Sequence, residues 1–176
     1  MAHVWTIVGG PETGKTTEAL KIVHDYDLRE NWAYDVMREY KYRVDHKIRC
    51  FRGQPEGWFK LLELHDFKGS QRSFISDECG DYFNHGNKFA PITAPMRHKR
   101  HNGNIYINVF HELSEVPAYV RRFTNYYLIK KSAGTPATIG KTFENYPEVI
   151  EAWNFVNSSK NPFEQVRVRN TVLKNC

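Results

Sequence analysis

The 176-residue chain has only three cysteines, Cys50, Cys79 and Cys176, and none of them forms a CxxC pair. An odd, widely spaced set of thiols excludes a disulfide framework and indicates a reducing compartment. No apolar run approaches the roughly 18 residues that a membrane-spanning helix needs. The first residues lead directly into a short apolar segment, so we expect neither a membrane segment nor a signal peptide.

Internal repeats and low-complexity linkers are also lacking, which predicts a single domain over residues 1–176. Hydrophobic residues make up 40% of the chain and charged residues 26%, an ordinary composition for a folded domain. A chain of this length buries a sizeable core without disulfides or a structural metal. The formal net charge of +5 permits nucleic-acid binding without establishing it.

Apolar strand patterns alternate with amphipathic helix patterns along the chain, which predicts an α/β fold with a mainly parallel central sheet of about five strands and helices on both faces. The predicted strands cover residues 4–8, 32–36, 73–76, 104–110 and 126–129. The predicted helices cover residues 15–24, 55–64, 94–101, 117–123 and 147–156. Residues 41–53 give no clear pattern, 80–88 and 132–140 have loop composition, and 160–176 are expected to form a mobile basic tail.

Residues 9–17 carry the strongest signal, because they match G-x-x-x-x-G-K-[ST] at every fixed position, between an apolar strand and a helix. Glycines let backbone N–H groups turn towards a phosphate, and the helix N-terminus adds partial positive charge. Lys15 is expected to reach the β- and γ-phosphates of ATP, and the Thr16 hydroxyl to ligate Mg²⁺. The predicted nucleotide-binding residues are Gly9, Gly10, Pro11, Glu12, Thr13, Gly14, Lys15, Thr16 and Thr17. The alternative is a chance glycine turn with a solvated lysine.

The apolar segment at 74–76 ends in two acidic residues, Asp77 and Glu78. After a phosphate loop, this pattern predicts that Asp77 holds Mg²⁺, usually through water, and that Glu78 orients or deprotonates the attacking water. The alternative is a pair of acids at the surface end of a strand.

Seven lysines or arginines lie between positions 97 and 131, against two acidic residues. Arg97 or Arg100 is a candidate to neutralise charge on the γ-phosphate, in a neighbouring subunit's site if the protein forms a ring. The other basic residues are candidates for nucleic-acid phosphates, or for a solvated helix end. His111 follows a strand, where a polar residue would face the γ-phosphate or serve only as a loop residue. None of the eight histidines has the partners of a metal site.

Taken together, GGPETGKT, FISDE and RHKRHNGNIYINVFHELSEVPAYVR resemble the FtsK–HerA superfamily of RecA/ASCE-type P-loop ATPases. The similarity spans roughly residues 4–130 and points to small viral genome-packaging ATPases and Zot-like phage proteins. It implies an ATP- and Mg²⁺-dependent motor that forms a ring and translocates DNA, with capsid or vertex proteins as further partners. It also implies the host cytoplasm and the virion as locations. The family usually has Gln where this chain has His111.

Two other classes share the phosphate loop. A small nucleotide or metabolite kinase needs a substrate pocket and usually an arginine in its lid, but residues 80–93 contain no arginine. Residues 77–80 fit the D-x-x-G pattern of a regulatory GTPase, but the N-K-x-D guanine-recognition motif is missing. The adjacent Asp77 and Glu78 favour water activation over transfer to a second substrate. The kinase therefore stays as the main alternative, and the GTPase ranks last.

Overall fold

The computed structural model describes residues 3–28, 30–38, 40, 48–66, 71–83, 96 and 103–171. The strands are β1 (His3–Val8), β2 (Glu30–Tyr34), β3 (Ile48–Phe51), β4 (Arg72–Ser76), β5 (Ile105–Phe110), β6 (Tyr126–Lys130) and β7 (Gln165–Arg169). The α-helices with described bounds are α1 (Lys15–Tyr26), α2 (Pro55–Asp66), α3 (Cys79–Phe83), α4 (Ala118–Phe123), α5 (Pro136–Thr142) and α6 (Pro147–Ser158). A 3-10 helix covers Leu113–Glu115.

All seven strands form one sheet, in the order β3-β2-β4-β5-β1-β6-β7. Every neighbouring pair is parallel except β6 and β7, which are antiparallel. The mainly parallel α/β fold is therefore confirmed, while the expected number of about five strands was too low. Strand β5 lies between β1 and β4, so the phosphate loop after β1 and the acidic pair after β4 are separated by one strand.

Helices cover both faces of the sheet, as predicted. Helix α1 packs Ala19, Leu20 and Val23 against one face. Helices α2 to α6 pack against the other face, where Trp58 of α2 is fully buried and stacks on Tyr34, with 5.8 Å between the ring centroids. The sheet is thus buried on both sides, and polar groups reach solvent mainly at its ends.

Strand β3 is the first addition to the predicted sheet. It falls within residues 41–53, which show no clear pattern of apolar residues. Its side chains are exposed or half-buried, because the strand forms the edge of the sheet and pairs only with β2. An edge strand does not need the continuous apolar run that made the central strands recognisable.

The expected mobile tail over residues 160–176 was wrong in the part that the structure describes. Residues Gln165–Arg169 form β7 and pair with β6. Val166 and Val168 pack on the face of the sheet that helices α2 to α6 cover. The Arg167 guanidinium lies over the Trp5 and Tyr126 rings, at 4.4 and 4.5 Å from their centroids. The strand was not predicted because apolar residues occupy only alternate positions, and the basic residues between them are typical of a solvated tail.

Two segments expected to be loops contain short helices. Helix α5 starts within residues 132–140, at Pro136. The residue before it, Thr135, caps the helix, because its hydroxyl accepts a hydrogen bond from Thr138 N. Threonine and proline in this order are a helix-start signal. Helix α3 covers the beginning of the predicted loop 80–88, and residues 84–88 lie outside the described part of the chain.

The predicted helix over residues 94–101 also lies outside the described residues, apart from Met96, which is helical and buried. The remaining predicted elements are present, with bounds that differ by no more than two residues at either end. Within the part of the chain that the structure describes, no helix combines the length and the apolar character needed to cross a membrane.

Candidate active site

Strands β1, β4 and β5 end at the same edge of the sheet. In the parallel register Val8 pairs with Phe110, and Ser76 pairs with Asn108. The residues that follow these strand ends are therefore brought together, and in open α/β sheets ligands bind at this edge. Loops 9–14, 77–78 and 111–112 converge there.

The phosphate loop is fixed to the sheet on two sides. Gly9 N donates to Phe110 O at 3.1 Å, and Gly10 N donates to Lys131 O at 2.6 Å. The Thr13 hydroxyl closes the loop on itself by donating to Gly10 O at 2.8 Å. Gly14 adopts a left-handed conformation with φ 82°, which glycine tolerates at no steric cost, and α1 begins at the next residue. The loop and helix geometry of the predicted phosphate site are thus present.

Three side chains form a chain of contacts at the mouth of the loop. Lys15 Nζ donates to Gly10 O at 3.0 Å and lies 3.4 Å from His111 Nδ1. On the other side of the ring, His111 Nε2 contacts the Glu78 carboxylate. An ammonium can only donate and a carboxylate only accepts, so this arrangement fits a neutral imidazole with its proton on Nε2. His111 therefore joins the two residues expected to bind phosphate and to activate water.

The acidic pair occupies the tip of β4. Asp77 is only 6% exposed, and its carboxylate accepts a hydrogen bond from Glu78 N at 3.0 Å. Glu78 has φ 53°, in the left-handed region that non-glycine residues rarely occupy. Such a conformation costs on the order of 1–3 kcal/mol. It turns the Glu78 side chain towards His111, whereas Asp77 stays beside the phosphate loop.

His111 is itself held by a neighbouring carboxylate. Glu115 Oε2 accepts hydrogen bonds from the backbone N–H groups of His111 at 3.0 Å and of Glu112 at 3.2 Å. Glu115 ends the 3-10 helix and forms a capping box with Glu112. Gly80 lies against the same carboxylate, because a Cβ added there would meet Glu115 Oε2 at 2.7 Å. The conformation after β5 thus depends on close packing between α3 and the 3-10 helix.

These groups surround one cleft of about 390 Å³. Its lining residues are Pro11, Glu12, Gly14, Lys15, Thr16, Val36, Met37, Asp77, Glu78, Asp81 and His111. Hydroxyl and carboxylate oxygens are the donors that Mg²⁺ prefers, and Thr16 and Asp77 present both types to the same cleft. The residues present therefore fit a nucleotide polyphosphate with its magnesium ion.

Of the predicted site residues, the structure brings Lys15, Thr16, Asp77, Glu78 and His111 together around this cleft. Thr17 follows in the first turn of α1. The two candidate arginines, at positions 97 and 100, lie outside the described residues, so their role stays a prediction.

Sequence reasoning missed several residues at this edge. Lys130 ends β6 beside the phosphate loop, Glu115 holds the backbone at His111, and Val36 and Met37 form an exposed apolar wall of the cleft. Lys130 could have been found from its place at the carboxyl end of a predicted strand. Glu115 gave no comparable signal, since its role depends on a turn of the backbone.

The fold is a mainly parallel α/β sheet with a phosphate loop after β1, like that of P-loop ATPases. No protein-family model matches the chain, and no curated protein matches it in sequence. Several solved structures, however, have a similar fold. The genome-packaging NTPase B204 from Sulfolobus turreted icosahedral virus 2, in complex with ATP-gammaS, has a TM-score of 0.73 and 14% identity over 98% of this chain and 94% of that chain.

The DNA-packaging ATPase B204 from Sulfolobus turreted icosahedral virus gives a TM-score of 0.72 and 14% identity, over 95% of this chain and 92% of that chain. The N-terminal domain of zonular occludens toxin from Neisseria meningitidis gives 0.50 and 14% identity, over 75% and 78%. These two groups are the ones that the sequence motifs resemble. The resemblance is therefore confirmed, and at this identity it shows a shared fold.

Proposed function

We propose that the protein is an ATP-hydrolysing motor that translocates DNA as a ring oligomer, most specifically a viral genome-packaging ATPase. The observation that carries the enzymatic part is the convergence of the phosphate loop, the Asp77–Glu78 pair and His111 on one cleft. Taken singly, the loop fits a glycine turn, the acidic pair fits the surface end of a strand, and His111 fits a loop residue. Together, they supply phosphate binding, metal binding and a base within one small volume.

In the proposed reaction, water attacks the γ-phosphorus of ATP, the bond between the γ-phosphorus and the β–γ bridging oxygen breaks, and ADP and phosphate leave. Lys15 and the N–H groups of the loop bind the polyphosphate and balance its charge. Glu78 takes a proton from the attacking water. Thr16 and Asp77 would hold Mg²⁺, which supplies further charge neutralisation on the phosphates.

His111 supports a specific coupling between binding and chemistry. The imidazole contacts both Lys15 and Glu78. A polyphosphate draws the Lys15 ammonium towards itself, which removes one of the two contacts that orient the imidazole. Glu78 is then released from a fixed contact and becomes available to the water.

The DNA and ring components rest on the fold relationship and on charge. The neighbouring structures are a viral genome-packaging NTPase and a DNA-packaging ATPase, and this chain carries a net charge of +5. Arg97 and Arg100 are proposed to act on the γ-phosphate of a neighbouring subunit. Capsid or vertex proteins are proposed partners, and host cytoplasm and virion are the proposed locations.

The experiment is steady-state hydrolysis of ATP and GTP by the purified protein, with and without DNA, over a range of salt concentrations. We expect ATP turnover to rise with DNA, and the stimulation to fall as salt weakens phosphate contacts. Turnover that ignores DNA would contradict the motor. Hydrolysis that requires an added phosphate acceptor would instead favour a small-molecule kinase.

The Glu78→Gln variant separates binding from chemistry. Its amide oxygen can still accept a hydrogen bond from His111 Nε2, so the cleft keeps its shape while the base is lost. We expect ATP binding within about twofold of wild type and a loss of turnover by roughly 10² to 10⁴. Glu63→Gln makes the same chemical change on the exposed side of α2 and should hydrolyse normally. Wild-type turnover in Glu78→Gln would remove this residue from the mechanism.

A further inference from the structure

Lys130 lies directly beside the phosphate loop, although no motif includes it. It is the last residue of β6, which pairs in parallel with β1, the strand that leads into the loop. A Cβ added to Gly9 would lie 2.9 Å from Lys130 Cβ, and one added to Gly14 would lie 4.0 Å from Lys130 Nζ. The Lys130 side chain therefore runs along the loop, from its first glycine to the glycine that precedes α1.

The ammonium group of Lys130 is buried and poorly compensated. The residue is 2% exposed, and within the described part of the chain no carboxylate forms an ion pair with it. The carboxylate that attracts it most is Glu18, whose Oε1 is already engaged by Lys21 Nζ at 2.7 Å. A buried cation without a paired anion costs free energy in the folded state.

Burial and the charges of its neighbours both act on the pKa of Lys130. Burial lowers the pKa of Lys130, and the nearby ammonium groups of Lys21 and Lys15 lower it further, while Glu18 acts in the opposite direction. All three neighbours belong to α1, the helix that starts at the end of the phosphate loop. Lys130 therefore adds a further positive charge beside Lys15 at the start of α1.

We propose that Lys130 is a second cation of the nucleotide site, whose charge is compensated by the polyphosphate of the bound nucleotide. It positions the phosphate loop and raises affinity in proportion to the negative charge of the ligand. This inference rests on the proposed nucleotide binding. The competing explanation is that Lys130 only supports the fold, through its attraction to Glu18.

The two explanations predict opposite changes in stability for Lys130→Met. A lowered pKa means that the folded state holds its proton less tightly than the unfolded state does. The penalty is fully present below the folded pKa and disappears as pH rises to the ordinary lysine value. At neutral pH we therefore expect Lys130→Met to unfold at a higher temperature than wild type when no nucleotide is present. A fold-supporting role predicts a lower temperature.

Binding should change in the other direction. By calorimetric titration near pH 7 with Mg²⁺ present, Lys130→Met should raise the Kd of ATP on the order of tenfold. The increase should be smaller for ADP and smallest for AMP, because fewer phosphate charges are present. Lys60→Met, the same change on the exposed side of α2, should alter neither Kd nor unfolding temperature.

A pH series adds a readout that packing alone would not change. As pH rises through the lowered pKa of Lys130, below the ordinary lysine range, wild type loses this charge, so its affinity should converge on that of Lys130→Met. Nucleotide binding by wild type should also take up protons in this range, seen as different binding enthalpies in two buffers, and the uptake should be lost in Lys130→Met. The uptake test on wild type stands even if the variant does not fold.

Unchanged Kd for all three nucleotides, together with a lower unfolding temperature in Lys130→Met, would overturn the inference. Absence of proton uptake in wild type would also overturn it. A failure of the underlying proposal looks different: wild type itself, and not only the variant, would show no ATP binding. Lys15→Ala serves as the reference for lost binding in every series.

Discussion

Replacement of Gly9 by alanine tests whether position 9 requires glycine because its surroundings leave no room for a Cβ atom. Gly9 and Gly10 are adjacent glycines in one loop, and neither has a positive φ. Their surroundings differ. A Cβ on Gly9 would lie 2.6 Å from Thr13 Oγ1 and 2.9 Å from Lys130 Cβ, whereas a Cβ on Gly10 would find its nearest atom, Lys131 O, at 3.5 Å.

The cost can be worked from these distances. Contacts under about 3 Å force atoms to move, and Lys130 Cβ is attached directly to a strand backbone. Thr13 can rotate away, but its hydroxyl then loses the 2.8 Å hydrogen bond to Gly10 O. Overpacking of this kind costs about 1–3 kcal/mol. In a domain of this size, that corresponds to a fall of roughly 2–12 °C in the unfolding temperature.

The assay is thermal unfolding followed by far-ultraviolet circular dichroism, together with an ATP titration of each variant. Gly9→Ala should unfold at a lower temperature and bind ATP more weakly, because the displaced loop no longer directs its N–H groups inward. Gly10→Ala should keep the wild-type unfolding temperature within about 1 °C, since an ordinary contact costs little. Equal unfolding temperatures for Gly9→Ala and Gly10→Ala would refute the packing argument.

Three further predictions concern other parts of the site and its support. In Gly80→Ala, the new methyl group should push the Glu115 carboxylate away from His111 N, so kcat should fall about ten- to a hundredfold while the flexible carboxylate limits the loss of stability. Buried Trp58 Nε1 donates a hydrogen bond to Ser76 Oγ at 2.9 Å. Ser76→Ala removes this acceptor and should lower the free energy of unfolding, measured in urea, by about 1–3 kcal/mol. Removal of Mg²⁺ with EDTA should abolish ATP hydrolysis, and added Mg²⁺ should restore it.

Each of these predictions has a matched control or a contrary outcome. An unchanged kcat in Gly80→Ala would show that catalysis does not depend on the position of Glu115. Ser158→Ala removes an exposed hydroxyl instead and should change the free energy of unfolding by no more than about 0.5 kcal/mol. Hydrolysis that persists in excess EDTA would contradict the assignment of Thr16 and Asp77 as metal ligands.

The central strands and the phosphate loop were predictable because their signals are local. Strands β1, β4 and β5 are buried on both faces, so each is a short and largely apolar run. The loop pattern combines fixed glycines with a lysine at fixed spacing, and the strand and helix around it supply the required setting. Because the carboxyl ends of parallel strands lie on the same side of the sheet, the residues near the loop followed from the strand assignments alone.

The edge strands were not predictable in the same way. Strand β7 has the sequence QVRVR, in which only alternate residues are apolar, and its arginines made the segment resemble a solvated tail. What holds it in place is a partner far away in sequence: Arg167 covers Trp5 and Tyr126, and Val168 packs into the main core. Long-range contacts of this kind leave little trace in a local pattern.

Part of the backbone strain and buried charge of this fold lies around the cleft, although Asp27, Arg38 and Gln71, which also have positive φ, do not line it. Glu12 and Glu78, two of the non-glycine residues with positive φ, both line the cleft. Lys130 adds a buried ammonium beside the loop. Local strain and uncompensated charge persist where the surrounding structure determines them, and they cluster where a ligand is bound. Under the proposed function, a polyphosphate would compensate the Lys130 charge and Glu78 would face the attacking water, so one ligand class would account for both features.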